Sequence, residues 1–163
     1  MKYKNHAIIG IPNQLFIIVI LMSILFLLLF YAVTNFQKQT QINDLKKNMN
    51  QIINSAEYLT EYANHASIIS SEINIPQIVK FVSFGPPPEY MIYNTNYNNI
   101  SLFNERMYVI CYENDIIEQY HTSFPFYIDH TNNSCILTKG SHQINMELIQ
   151  TQGKTYVKIQ QKG

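Results

Sequence analysis

The feature that most constrains the fold is an apolar run between Leu15 and Val33, which contains no charged and no amide side chain. A helix from Pro12 to Val33 would rise about 33 Å, enough for the hydrocarbon core of a bilayer. Pro12 suits the first turn of a helix, and Gly10 before it provides a break. The sequence therefore predicts a transmembrane helix over residues 12–34, after a leader or cytoplasmic tail over residues 1–11.

The apolar run could be an export signal, a permanent membrane anchor or the apolar half of a pilin-type assembly helix. A cleaved secretory signal has an apolar region of only about 7 to 15 residues, followed by a small-x-small site. This run is longer, and the nearest candidate site, at residues 32–34, ends in Thr34. We therefore expect a single-pass membrane protein. Lys2 and Lys4 favour a cytoplasmic N-terminus and an extracytoplasmic C-terminal part.

Beyond Val33 the next glycine or proline is Pro76, and apolar residues recur at alternating steps of three and four. This stripe consists of Ile42, Leu45, Met49, Ile52, Ala56, Leu59, Ala63 and Ala66, and Ile53, Tyr62 and Ile69 widen it. Its water-facing side includes Lys46, Lys47 and Glu57. The pattern predicts an amphipathic helix over residues 35–72, continuous to about Ser70. Either the chain's own C-terminal part or a second copy, in a homo-oligomeric coiled coil, could cover the stripe.

From Ile78 the period of the apolar residues changes to two, which predicts a β-rich head over residues 76–163. We expect a strand in each of these segments: IVKFVSFG, YMIY, RMYVICYE, DIIEQYH, FPFYID, SCILT, HQINMELIQ and KTYVKIQQ. The last two form the best hairpin, in which Ile144, Met146 and Leu148 share a face with Val157 and Ile159 around a turn at Gly153. The expected fold class is α+β, with a long helix packed on a small antiparallel sheet or sandwich.

The charge composition argues against nucleic acid as a partner. Charged residues make up 13% of the 163 residues and the formal net charge is zero. The surface must therefore be polar and largely neutral. Tyrosines are abundant in the strand region and could either line a surface shared with a partner or be half-buried residues of the sheet. They are Tyr90, Tyr93, Tyr97, Tyr108, Tyr112, Tyr120 and Tyr127.

No motif in the sequence points to catalysis, a cofactor or a metal. The strand region contains His121, His130 and His142, with Asp129 beside the second, but their spacing matches no closed set of metal ligands. The sequence has no G-x-S-x-G elbow, no cysteine-protease signature and no glycine-rich phosphate loop. We therefore expect a protein that is not an enzyme.

Two further features depend on where the head is. If it lies outside the cell, Cys111 and Cys135 could form a disulfide; the alternative is two free thiols. Asn99 and Asn132 each begin an N-x-S sequence in a predicted loop and could accept a glycan.

The order of these parts resembles that of type IV pilin-like proteins, especially archaeal ones with a class III signal peptide. In that family a short basic leader ends in glycine and precedes an apolar helix, an amphipathic helix and a β-rich head. The segment MKYKNHAIIG looks like such a leader. The resemblance implies cleavage by a prepilin peptidase between Gly10 and Ile11, and assembly with other pilin-like subunits.

The expected function is that of a structural or adhesive component of the cell surface or of a filament. The alternative is an uncleaved, membrane-anchored binding module that recruits an envelope protein, as a stator or adaptor does. The archaellum stator proteins, which join one span to a β-sandwich, are similar in outline.

Overall fold

The computed structural model describes residues 6–63, 67–88, 104–128, 134–151 and 153–162, with side chains described from residue 13 onward. Its single helix, α1, spans His6–Tyr62, and seven strands follow it within the described ranges. The chain divides into two compact units, Met1–Gln41 and Ile42–Gly163. The first unit contains the apolar part of α1, and the second contains the rest of α1 and all seven strands.

Both ends of α1 differ from the predicted ones. The helix begins at His6 and not at Pro12, so Gly10 is part of it and not a break. A glycine inside a helix costs about 1 kcal/mol, and a proline beyond the first turn costs about 3 kcal/mol, because it loses one backbone hydrogen bond and its ring crowds the carbonyl four residues earlier. At the other end, α1 stops at Tyr62 and a strand begins at Ile68, so the prediction of a helix to about Ser70 is wrong.

The apolar stripe of α1 is confirmed between residues 42 and 63. Its central side chains are at most 1% exposed, namely those of Leu45, Met49, Ile52, Ala56 and Leu59. Ile42, Ile53 and Ala63 are partly buried at the margins of the stripe. Tyr62 was expected to widen the stripe, but its side chain is 72% exposed.

The first sheet has three antiparallel strands in the order β1-β6-β7. These are β1 (Ile68–Ile75), β6 (Gly140–Thr151) and β7 (Lys154–Gln161). The predicted hairpin is confirmed: Met146 pairs with Ile159 and Leu148 with Val157. Gly153 lies in the connecting turn with φ +75°, a conformation that favours glycine.

The second sheet has four antiparallel strands in the order β4-β3-β2-β5. They are β2 (Val79–Phe84), β3 (Met107–Tyr112), β4 (Ile117–His121) and β5 (Cys135–Thr138). All four match predicted strands. The predicted strand YMIY lies outside the described residues.

One predicted strand, FPFYID, is not a strand in the described part of its length. Phe126 forms only an isolated parallel bridge with Val157. Its backbone N–H donates to the carbonyl of Glu105, while the N–H of Val157 donates to the carbonyl of Pro125. This segment therefore links β7 of the first sheet to the residues that precede β3 of the second.

The core of the second unit lies where α1 and both sheets meet. One continuous apolar cluster joins Met49 and Ile52 of α1 to Ile144 and Val157 of the first sheet and Ile110 of the second. The fold class is therefore α+β, as expected, with a long helix packed on two small antiparallel sheets. The helix stripe provides apolar cover that the sheets would otherwise need from elsewhere.

Candidate functional site

The apolar part of α1 is the most unusual surface of the chain. We call residues 13–36 the apolar half of α1. Its large apolar side chains are between 44% and 74% exposed, and none of them is buried. Among the described residues, α1 is the one helix that is long and apolar enough to span a membrane. This finding is compatible with a single-pass membrane protein.

Two hydroxyl groups of the apolar half, those of Ser23 and Thr34, are satisfied within the helix. Ser23 Oγ donates to the carbonyl of Val19, and Thr34 Oγ1 donates to the carbonyl of Phe30, both at 2.8 Å. A polar group left without a partner in hydrocarbon costs several kcal/mol, and these bonds remove that cost. These two hydroxyls are therefore suited to an apolar environment.

A polar cluster centred on Glu118 lies where α1 meets the second sheet. Glu118 is on the edge strand β4, and its side chain points to the core face of the sheet, since it pairs with Ile110. Lys46 Nζ of α1 lies 2.9 Å from Glu118 Oε2. The same oxygen accepts hydrogen bonds from the hydroxyls of Tyr112, at 2.8 Å, and Tyr120, at 2.6 Å. We call these four residues, Lys46, Tyr112, Glu118 and Tyr120, the Glu118 cluster.

The protonation states in the Glu118 cluster follow from these contacts. Burial alone would raise the pKa of Glu118, but the bonds from Tyr120, Lys46 and Tyr112 outweigh it and hold its pKa below the ordinary value. The bond to Glu118 raises the pKa of Lys46 against the opposing effect of burial. Burial and the bond to Glu118 raise the pKa of both tyrosines. The cluster is thus a charged Lys–Glu pair held by two neutral phenols.

The Glu118 cluster is suited to holding α1 on the sheet and not to catalysis. Its carboxylate already accepts bonds from all three neighbours, and its perturbed pKa values make each group keep its ordinary charge near neutral pH. Tyr120 also stacks on Tyr108 with ring centroids 4.8 Å apart. A second polar link from α1 joins Glu57 Oε1 to Ser123 Oγ at 2.7 Å.

The tyrosines of the strand region that the structure describes are not a shared outer surface. Tyr108 and Tyr112 are buried, with 5% and 7% exposure, and Tyr120 and Tyr127 are partly buried. Burial raises the pKa of Tyr108 to about 12. Tyr90, Tyr93 and Tyr97 lie outside the described residues.

The structure argues against a disulfide between Cys111 and Cys135, and both thiols are free. Cys111 of β3 pairs with Phe81 of β2, and Cys135 of β5 pairs with Phe84 of β2. Strands β3 and β5 therefore lie on opposite sides of β2. Two strand spacings are about 9.6 Å, beyond the separation that a disulfide can bridge. The two side chains also point to opposite faces of the sheet, because Phe81 and Phe84 are an odd number of residues apart.

No metal site forms among the described residues, which contain no group of three or more His, Cys, Asp and Glu side chains placed to share an ion. His121 is exposed on β4, and His142 Nε2 lies 2.6 Å from the carbonyl of Thr138. His130 and Asp129 lie outside the described residues.

A half-open cavity of about 370 Å³ lies between β5 and β7. Its lining combines the partly buried thiol of Cys135 with Tyr127, Ser134 and Lys158. Burial raises the pKa of Cys135 to about 11, so this thiol is not a reactive nucleophile near neutral pH. The hydroxyl of Ser134 donates to the carbonyl of Pro86.

Of the remaining predicted site residues, some lie within the described part of the chain and some outside it. The backbone of Gly10 and Ile11 is helical and part of α1. The two sequence positions proposed for glycans, Asn99 and Asn132, lie outside the described residues. Processing and glycosylation at these positions therefore stay predictions.

Sequence reasoning missed two side-chain arrangements in the second unit. Lys46 was assigned to the water-facing side of the helix, but it neighbours Leu45 of the stripe and its long side chain reaches Glu118. The spacing of Glu118 and Tyr120, two apart on a strand, could have indicated that they share a face. Tyr58 and Tyr62 form an exposed aromatic pair with ring centroids 5.3 Å apart.

Comparison of the chain with models of known protein families, with curated proteins and with solved structures found no match.

Proposed function

We propose that this chain is a single-span membrane protein that holds a folded β head at the membrane surface, with a structural or adhesive role and no catalytic activity. The observation that carries this proposal is the apolar half of α1, whose large side chains are exposed on every side of the helix. In water such a surface would cause aggregation, whereas in a bilayer it is the stable arrangement.

The organisation of the second unit supports a head that presents a surface. Its core is filled by α1 and both sheets, and its central polar cluster is already satisfied internally. A role in binding or assembly needs no reacting group. Partners would be membrane lipid together with other pilin-like subunits or envelope proteins.

The pilin-like interpretation adds a membrane orientation and a processing step to this proposal. The N-terminus would be cytoplasmic and the head extracytoplasmic, consistent with Lys2 and Lys4 ahead of the span. Cleavage after Gly10 would leave Ile11 as the first residue of a filament subunit. An uncleaved chain would instead remain a stator-like or adaptor-like anchor.

Protease treatment of intact cells tests the membrane topology. We expect the full-length chain in the membrane fraction, a head that external protease digests, and a protected fragment that contains residues 13–33. Lysed cells are the control, because there protease reaches both sides of the membrane. Recovery of the intact chain in the soluble cytosolic fraction would refute the proposal.

Mass spectrometry of the membrane-derived protein separates the two versions of the function. A mature N-terminus at Ile11 supports the pilin-like version, and an intact Met1 supports the uncleaved anchor. Substitution of Gly10 by alanine is the matched control, because it should abolish cleavage after residue 10 and leave the head unchanged.

A further inference from the structure

This inference rests on the proposed function and concerns what surrounds the apolar half of α1 within the bilayer. We propose that lipid acyl chains cover it on all sides, and that it does not pack against the same helix of other copies. While it is in the bilayer the chain then acts as a separate anchor, and any association between copies there occurs through the head.

The apolar half has no face that differs from the others. Large apolar side chains occupy every position from 15 to 22 and from 24 to 31, all at least 44% exposed. Successive residues on a helix point about 100° apart, so these two runs cover the full circumference several times. A helix that packs on a partner normally shows one distinct face, as the stripe at Leu45 and Met49 does.

The sequence of the apolar half also lacks what membrane helices use to pack together. Close packing in lipid depends on small residues four apart on one face, because apolar side chains gain little by leaving lipid for each other. Residues 13–36 contain no glycine, and their small residues are Ser23, Ala32 and Thr34, none of them four apart. Ser23 and Ala32 are nine residues apart and therefore point in opposite directions.

Polar side chains are the other means of joining membrane helices; in the apolar half the two hydroxyls of Ser23 and Thr34 are already occupied, and the other polar side chains lie towards its ends, at Asn13, Gln14, Tyr31 and Asn35. The hydroxyls of Ser23 and Thr34 donate to carbonyls of their own helix. Satisfied donors gain little from a bond to a second helix. At the C-terminal end of the apolar half, Tyr31 is 68% exposed, and tyrosine rings favour the lipid–water interface.

Single-cysteine scanning of the full-length chain tests the proposal. The protein is reconstituted at low density in phosphatidylcholine–phosphatidylglycerol vesicles and treated with copper phenanthroline to form disulfides between neighbouring copies. Five consecutive substitutions sample all directions around the helix: Leu21→Cys, Met22→Cys, Ser23→Cys, Ile24→Cys and Leu25→Cys. The substitutions are made in a chain that carries Cys111→Ala and Cys135→Ala, because both native thiols are free and Cys135 is only partly buried, and this cysteine-free chain is the control.

We expect dimer yields that are low and equal at all five positions, with no helical periodicity. Spin labels at the same positions should collide with oxygen in the membrane and stay protected from an aqueous nickel reagent. Strong cross-linking confined to one face, with labels on that face protected from oxygen as well, would overturn the lipid-covered anchor while leaving the membrane function intact. Access of the nickel reagent to all five labels would refute the proposed function itself.

Discussion

The two parts of α1 show how one helix can carry two different distributions of side chains. Residues 42–62, the amphipathic half, bury Leu45, Met49 and Ile52 in a single stripe and keep polar residues elsewhere. The apolar half, residues 13–36, exposes large apolar side chains in every direction. Both have the same backbone conformation, so the helix itself does not reveal its environment. The distribution of side chains around the helix is more informative. A single apolar stripe with polar residues elsewhere suits a helix that is partly exposed to water, whereas large apolar side chains in every direction do not.

The largest effect should come from placing charge in the middle of the apolar half. Substitution of Ile24 and Leu25 by lysine should oppose membrane insertion by about 5–7 kcal/mol, since each central lysine costs about 2.5–3.5 kcal/mol. We expect the chain to leave the carbonate-resistant membrane fraction. The matched control places the same charges on the exposed side of the amphipathic half, at Asn50 and Asn54, where membrane association should not change. Equal behaviour of the two variants would mean that the two halves share one environment.

The next effect should appear in the stability of the head. Ile52→Ala removes a side chain that is 1% exposed in the core, so the free energy of unfolding should fall by about 2–5 kcal/mol. Urea unfolding of the full-length protein in detergent measures this change. Ile24→Ala, the same substitution in the apolar half, should leave the unfolding midpoint unchanged. A similar loss from both variants would contradict the contrast between the halves.

A smaller effect should follow from removing the carboxylate of the Glu118 cluster. Glu118→Gln breaks the ion pair with Lys46 and weakens two phenol bonds, so the free energy of unfolding should fall by about 1–3 kcal/mol at neutral pH. The control is Lys47→Met, because Lys47 is exposed beside Lys46 and should change stability little.

The pH dependence of this effect has a defined sign. The pKa of Glu118 is lower in the folded chain than its ordinary value. The stability that its charge provides is therefore complete above the ordinary carboxyl pKa of about 4.3, and is lost as the pH falls through the lower folded value. The difference between the original chain and Glu118→Gln should shrink over that acid range. A difference that stays constant with pH would show that the charge of Glu118 does not stabilise the head.

The smallest effect should come from the exposed aromatic pair at the end of the amphipathic half. Tyr62→Ala changes a side chain that is 72% exposed, so the free energy of unfolding should change by no more than about 0.5 kcal/mol. Leu59→Ala, three residues earlier in the buried stripe, is the control and should cost several times more. A large loss of stability in Tyr62→Ala would contradict the structure, because it would show that the Tyr62 side chain is part of the buried stripe.

The sequence was sufficient to predict the elements whose side-chain period is unambiguous. The stripe from Ile42 to Ala63 repeats at helical spacing, and the hairpin of β6 and β7 alternates strictly around Gly153. Strand β1 was missed because no glycine or proline separates it from α1, and because Ala63, Ala66 and Ile69 continue the helical spacing by coincidence. A local pattern with two valid periods does not decide between helix and strand.

The polar cluster and the pairing of the thiols depend on contacts distant in the sequence. Lys46 and Glu118 are 72 residues apart, and only the packing of α1 on the second sheet brings them together. The separation of Cys111 from Cys135 follows from the strand order β4-β3-β2-β5, which no single segment specifies. Local patterns predict elements, whereas contacts of this kind require the order in which the elements pack.

The pairing of β1 with β6 has a consequence for how the chain is made. Ile68 pairs with Glu147 and Ile75 with Gly140, so β1 emerges from the ribosome well before its partner exists. At roughly 5–20 residues per second, that interval lasts several seconds. Throughout it, the stripe of the amphipathic half has no complete sheet to cover it. A newly made chain therefore depends on its last strands to close the head, and truncation before β6 should leave a product that chaperones or proteases recognise.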